Sequence, residues 1–149
     1  MKHLRKFNEG LSFSEFNELK EFTENCLVYL LDKDFEVKFS DRLGNDESDS
    51  SFLVDSDYFW IDLCGPKDDE SNWSLFRDSI DYSWDEVKDY YIPFIKLINN
   101  KYKLVSKIIY FKIADAENEF HNFNIEEVIN DRISFDEIVT ISVQIGSKI

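Results

Sequence analysis

The side chains with the greatest chemical reach in this sequence are its carboxylates. Asp115, Glu117, Glu119 and His121 fall in one short stretch, and oxygen donors beside an imidazole are the kind of set that holds a metal ion. No second cluster elsewhere completes such a site, so the stretch from Ala114 to Asn122 is expected to be a solvated, carboxylate-rich turn. Asp46, Glu47 and Asp49 in DRLGNDESDSS suggest a calcium loop, but that loop needs alternating oxygen ligands followed by a glycine, and no glycine follows here. A solvated hairpin tip is the expectation. Cys26 and Cys64 are the only cysteines, and His3 and His121 the only histidines. That is too few, at unsuitable spacing, for a zinc site, and the two thiols read as small buried hydrophobes rather than a disulfide. No glycine loop cradles a phosphate, and no nucleophile stands beside a base. Catalytic, cofactor-binding and metal-ligating residues are therefore left unassigned. The remaining candidates are contact residues: Trp60 and Trp73, a residue type enriched at interface hot spots, together with the acidic run Asp68-Asp69-Glu70.

Elements that position these residues follow from periodicity. Ser83 and Glu86 have the spacing of a capping box, and Val87, Tyr90, Tyr91, Phe94, Leu97 and Ile98 recur at helical intervals, predicting a helix over Ser83 to Tyr102. Pro93 lies inside it and removes one backbone donor, which predicts a kink or two short helices in series and marks Pro93 as a candidate hinge. Ser12 and Glu15 form a second capping box opening a helix from Phe13 to Leu31, with Phe16, Leu19, Phe22, Cys26, Leu27 and Leu30 on its buried stripe. Asn124 and Glu127 form a third, opening a short helix.

Phe35, Val37 and Phe39 alternate with polar residues as in a half-buried strand. Phe52 to Val54 and Tyr58 to Leu63 read as one interrupted strand or two short ones, the second with Phe59, Ile61 and Leu63 on one side and Tyr58, Trp60 and Asp62 on the other. Lys103 to Ile113 is apolar on both faces, as a central strand would be. Ile138 to Ile145 places Val139, Ile141, Val143 and Ile145 against Thr140, Ser142 and Gln144. The resulting order, α-β-β-α-β-α-β, predicts an α+β two-layer sandwich: a mostly antiparallel sheet of about four strands with two main helices on one face.

A length of 149 residues suits a single domain spanning 1–149, with Met1 to Gly10 as a flexible basic arm. A hydrophobic fraction of 43% and 14 Phe exclude a disordered chain as the default. The formal net charge of −14 is unevenly spread. Asp41 to Asp89 holds fifteen acids against four bases, Tyr90 to Ala114 has five lysines and no acid, and Asp115 to Glu137 has eight acids against one arginine. Phosphate backbones would repel such a chain, so direct nucleic-acid binding is disfavoured and a basic protein partner is expected. No apolar run is long enough for a membrane span and no signal-peptide core follows the arm, which predicts a cytoplasmic protein without membrane association.

The opening MKHLRKFNE resembles the start of small uncharacterised phage-encoded proteins, in which a basic arm precedes Phe-Asn-Glu. The likeness extends to Trp84-Asp85-Glu86-Val87-Lys88 with Tyr91-Ile92-Pro93-Phe94, and to Ile125-Glu126-Glu127-Val128-Ile129-Asn130-Asp131. It implies a phage accessory product made in a bacterial cytoplasm and carries no assigned activity. Three functions are weighed in order: non-enzymatic binding of a host protein as inhibitor or modulator, a virion or assembly component, and a carboxylate- or metal-dependent enzyme.

Overall fold

A computed structural model describes residues 13–53, 58–66, 80–114 and 120–148. Five strands, β1 (Glu36–Asp41), β2 (Phe59–Cys64), β3 (Tyr102–Ile113), β4 (Phe120–Asn124) and β5 (Ile138–Lys148), form one sheet in the order β1-β2-β5-β3-β4. Every neighbouring pair is antiparallel. The described helices are α1 (Phe13–Cys26), α2 (Val28–Asp32), α3 (Trp84–Lys101) and α4 (Ile125–Ile129). The α+β class and the antiparallel sheet are as expected, and the described residues hold five strands where about four were expected.

The extra strand, β4, lies in the stretch expected to be a turn. FHNFN has no period-two apolar pattern because it is an edge strand whose residues alternate only between exposed and half-buried. Phe52 and Leu53, expected in a strand, instead sit in a turn, where Leu53 has a φ of 65° and Phe52 is buried. The long first helix is divided at Leu27 into α1 and α2.

Alternation sorts each strand into two faces. Toward the helices, Phe39, Ile61, Val143, Ile109 and Phe123 line up in register across all five strands, and Val37, Leu63, Ile141, Phe111 and His121 form the next row. The helices supply the complementary side. Phe16 on α1 meets Phe39, Phe52 and Phe59 edge-on at centroid distances of 5.3, 4.8 and 5.3 Å. Trp84, Val87, Tyr91, Phe94, Ile95 and Ile98 are the buried stripe of α3, and Trp84 meets Phe111 at 5.7 Å. Each such side chain fully withdrawn from water contributes roughly 1.5–3 kcal/mol, and together they make one continuous core.

Helix α3 runs unbroken through Pro93, so the expectation of two short helices is corrected. Pro93 and Asp89 are both exposed, so the carbonyl of Asp89 that lacks an N–H partner faces water rather than the core. At the helix start, the Glu86 carboxylate accepts from the Ser83 N–H at 2.7 Å. At α4 the reciprocal box is complete: Glu127 N–H donates to Asn124 Oδ1 at 2.9 Å and Asn124 N–H to Glu127 Oε1 at 3.4 Å. The Ser12 half of the remaining box lies outside the described residues.

The start of α3 and the turn after α4 meet in space. Trp84 Nε1 donates to Asp131 Oδ1 at 2.7 Å, and Lys88 Nζ lies 3.1 Å from Asp131 Oδ2, tying the start of α3 to the turn after α4. Asp131 has a φ of 56°, a conformation an aspartate tolerates better than most residues. The hydrogen bond from Trp84, foremost, and then the hydrogen bond and charge of Lys88 hold its carboxyl below the usual range.

Asp41 organises the tip of the β1–β2 hairpin. Its carboxylate is buried, at 1% exposure, and accepts from the N–H groups of Leu43 and Asn45 at 2.9 Å each and of Leu53 at 3.1 Å. One acid thus satisfies backbone donors from both ends of the loop. At the other end of β2, Gly65 is irreplaceable for space: a Cβ there would lie 2.0 Å from the Ile80 carbonyl oxygen. Ile80 N–H in turn donates to the Pro66 carbonyl, so the strands of chain flanking 67–79 cross in contact.

Candidate functional site

The second face of the sheet carries the site. Antiparallel register places Lys38, Asp62, Ser142, Tyr110 and Asn122 in one row across all five strands. A neighbouring row begins Ser40, Trp60 and Gln144, and the row on the other side runs Glu36, Cys64, Thr140, Lys112 and Phe120. No described helix packs on this face.

Between these rows lies a cleft of about 480 Å³ lined by Ser40, Trp60, Asp62, Tyr110, Phe120, Asn122 and Ser142. Strand alternation explains the lining, since every one of these residues is out of phase with the helix-facing rows. The indole of Trp60 reaches across β5 to the Tyr110 ring, edge to face at 5.3 Å, and Tyr58 meets Trp60 edge to face at 6.4 Å. Phe120, 56% exposed on the edge strand β4, forms the lip.

Ser142, only 5% exposed, lies in the floor and hydrogen-bonds the Asp62 carboxylate. Burial raises the Asp62 carboxyl above its ordinary value, while the Ser142 hydrogen bond and then the charge of Lys38 act in the opposite direction. Cys64, one residue pair along, is a free thiol 4.0 Å from Thr140 Oγ1, and burial raises its pKa as well. The result is a cleft with the Asp62 carboxylate at its base, oxygen-bearing side chains around it and aromatic rings above.

Trp60 is the one contact residue expected from sequence that the structure places in this cleft. Trp73, Asp68, Asp69 and Glu70 lie outside the described residues, as do Asp115, Glu117 and Glu119. His121 is not part of a carboxylate turn: it is in β4, on the helix side, with its ring 5.3 Å from Phe135. In the acidic hairpin tip, Asp46 accepts from the N–H and hydroxyl of Ser48, and Asp49 accepts from Asp46 N–H at 3.0 Å. These are turn contacts, and among the described residues no three His, Cys, Asp or Glu side chains converge as metal ligands.

Sequence reasoning missed Asp62, Ser142, Tyr110, Asn122 and Phe120 as a group. Their common signal is the polar or aromatic phase of each strand, which becomes a site only once register is known. Compared with protein families, curated proteins and solved structures, the chain matches none. The fold and site define the class at the level of an α+β protein with a five-stranded antiparallel sheet, helices on one face and an aromatic-walled cleft on the other.

Proposed function

We propose that this chain is a non-enzymatic binding protein, cytoplasmic in a bacterial host, and that it docks a basic protein partner on the cleft face of its sheet. The observation that carries this reading is the combination of Trp60, Tyr110 and the exposed Phe120 around the Asp62 carboxylate. Rigid aromatic anchors beside a desolvated polar group are how interface hot spots are built, and the aromatic lip supplies apolar contact area. Electrostatics favours the same partner: a chain of net charge −14 attracts basic surfaces over long range, and the Asp62 carboxylate in the cleft gives that attraction a local target.

Affinity purification from the producing cells tests the reading. A stoichiometric partner is expected, lost in the Trp60→Ala/Phe120→Ala double variant and weakened as salt rises. It is expected to be retained in Leu97→Ala, an exposed position on α3 of the helix layer. Undiminished capture by the double variant overturns the reading.

A further inference from the structure

Resting on that docking face, we propose that the cleft receives an arginine side chain of the partner protein, its guanidinium seated on Asp62 between the Trp60 and Tyr110 rings. The cleft's chemistry selects this group step by step. Asp62 is the only carboxylate among the described lining residues, and the complementary charge to it is a positive one. Of the other lining residues, Ser40, Ser142, Asn122 and Tyr110 each carry an oxygen that accepts a hydrogen bond. A guanidinium offers five N–H donors in a plane and needs that many acceptors, whereas an ammonium offers three around a point.

The walls discriminate further. Trp60 and Tyr110 stand at 69° to one another, so an incoming planar cation can lie on one ring face while meeting the edge of the other. A guanidinium is more weakly hydrated than an ammonium and stacks on aromatic faces, so it loses less on entering a site whose base is already withdrawn from water. Ser142 strengthens the arrangement by donating to Asp62: it holds the carboxylate in place and leaves its remaining lone pairs for the ligand.

Protonation of Asp62 would abolish the attraction, so binding is linked to pH. Among the described residues, the charged or titratable groups on this face are Glu36 and Lys38 from β1, Tyr58 just before β2 and Cys64 within it, and Tyr110 and Lys112 from β3; β5 presents Thr140, Ser142 and Gln144, and β4 presents Phe120 and Asn122. Lys38, paired with Asp62 in register, is the internal competitor for its charge.

The experiment is a titration of the full chain with N-acetyl-arginine methylamide, followed by amide and indole NMR with the Trp60 indole signal assigned through Trp60→Phe. Saturable shifts are expected at Trp60, Asp62 and Ser142, with affinity near the millimolar range that one side chain supplies. Asp62→Asn should weaken binding at least tenfold, and lowering the pH through the Asp62 transition should do the same. Lys38→Ala should tighten it about threefold, an effect that a purely structural role for Asp62 would not produce.

Equal binding of N-acetyl-lysine methylamide overturns the guanidinium assignment. Tighter binding of free L-arginine than of the capped form assigns the cleft to a free amino acid and overturns the partner origin. Absence of shifts at 50-fold the expected dissociation constant removes the proposal altogether. The Trp60→Ala/Phe120→Ala purification is scored separately, so a failed arginine titration with an intact partner result leaves the docking face standing and removes only its arginine.

Discussion

Removing the Asp41 carboxylate is expected to unfasten the hairpin tip and destabilise the whole chain. Three backbone N–H groups converge on this buried side chain, from Leu43, Asn45 and Leu53, and the Asn45 amide adds a longer contact at 3.3 Å. Hydrogen bonds to a charged group contribute about 1.5–3 kcal/mol each, but Leu43 is exposed and Asn45 half-buried, so their donors regain water in the variant. Leu53 N–H closes the far end of the turn, beside the buried Phe52, and regains it less easily. Asp41→Ala should therefore cost about 3 kcal/mol, dominated by the Leu53 donor and the loss of loop order. For a chain of this size that lowers Tm by roughly 8–12 °C.

Thermal and urea unfolding followed by circular dichroism measures the effect, with Asp46→Ala as the comparison. Asp46 makes similar turn contacts to Ser48 but at an exposed position, and its replacement should change stability by less than about 0.5 kcal/mol. Asp41→Asn should fall between the two, because its amide nitrogen cannot accept from Leu53. The reasoning fails if Asp41→Ala and Asp46→Ala are equally mild, since burial would then have no bearing on what the carboxylate contributes.

Pro93→Ala should stabilise by about 2 kcal/mol: roughly 3 kcal/mol from restored helix geometry, less about 1 kcal/mol for the greater freedom of the unfolded chain. A lower urea midpoint would instead mean that the proline fits α3 to the sheet. Asp62→Asn should raise stability at neutral pH. Burial holds the folded-state pKa of Asp62 above its ordinary 3.8, so between those values the folded chain binds more protons than the unfolded one and stability falls as pH rises. The gain in the variant should be absent below pH 3.8 and complete above the folded-state pKa; a gain independent of pH would point to packing instead.

Local patterns in the sequence reached the elements they govern directly. The alternation of Phe59, Ile61 and Leu63 and the capping residues Ser83, Glu86, Asn124 and Glu127 predict β2, α3 and α4, because each signal is written in adjacent residues. What the pattern could not carry was anything set by a neighbour. In β5, Val139 was expected on the buried face, but it is the additional residue where Lys112 pairs with Thr140 and Ile113 with Ile138. That bulge resets the phase and sends Ile138 inward beside Ile141. In β3, too, more residues separate Leu104 from Ile109 than separate their partners Ile145 and Val143, with Lys107 at a φ of 53°.

The candidate site was less legible than the fold for the same reason. Trp60 stood out by residue type alone. Asp62 is one of 31 acids and Ser142 an ordinary strand serine, and nothing local distinguishes them. Their meaning comes from lying opposite one another in register, a relation between residues far apart in the chain. Asp41 was legible as a member of an acidic loop but not as its buried anchor.

The strand order has a consequence for how the protein comes into being. β1 with β2, and β3 with β4, are hairpins that can pair as soon as each has been made, yet the strand that joins them is β5, which follows all four in the chain. Until it arrives, β2 and β3 each present an unpaired edge, a hazard for association with other chains, and the long-range pairings that close the sheet are the slow kind. Ser142 arrives with that same strand and lands between Asp62 and Tyr110. The cleft is therefore assembled only when β5 has paired with both hairpins, so its floor forms as late as the sheet itself closes.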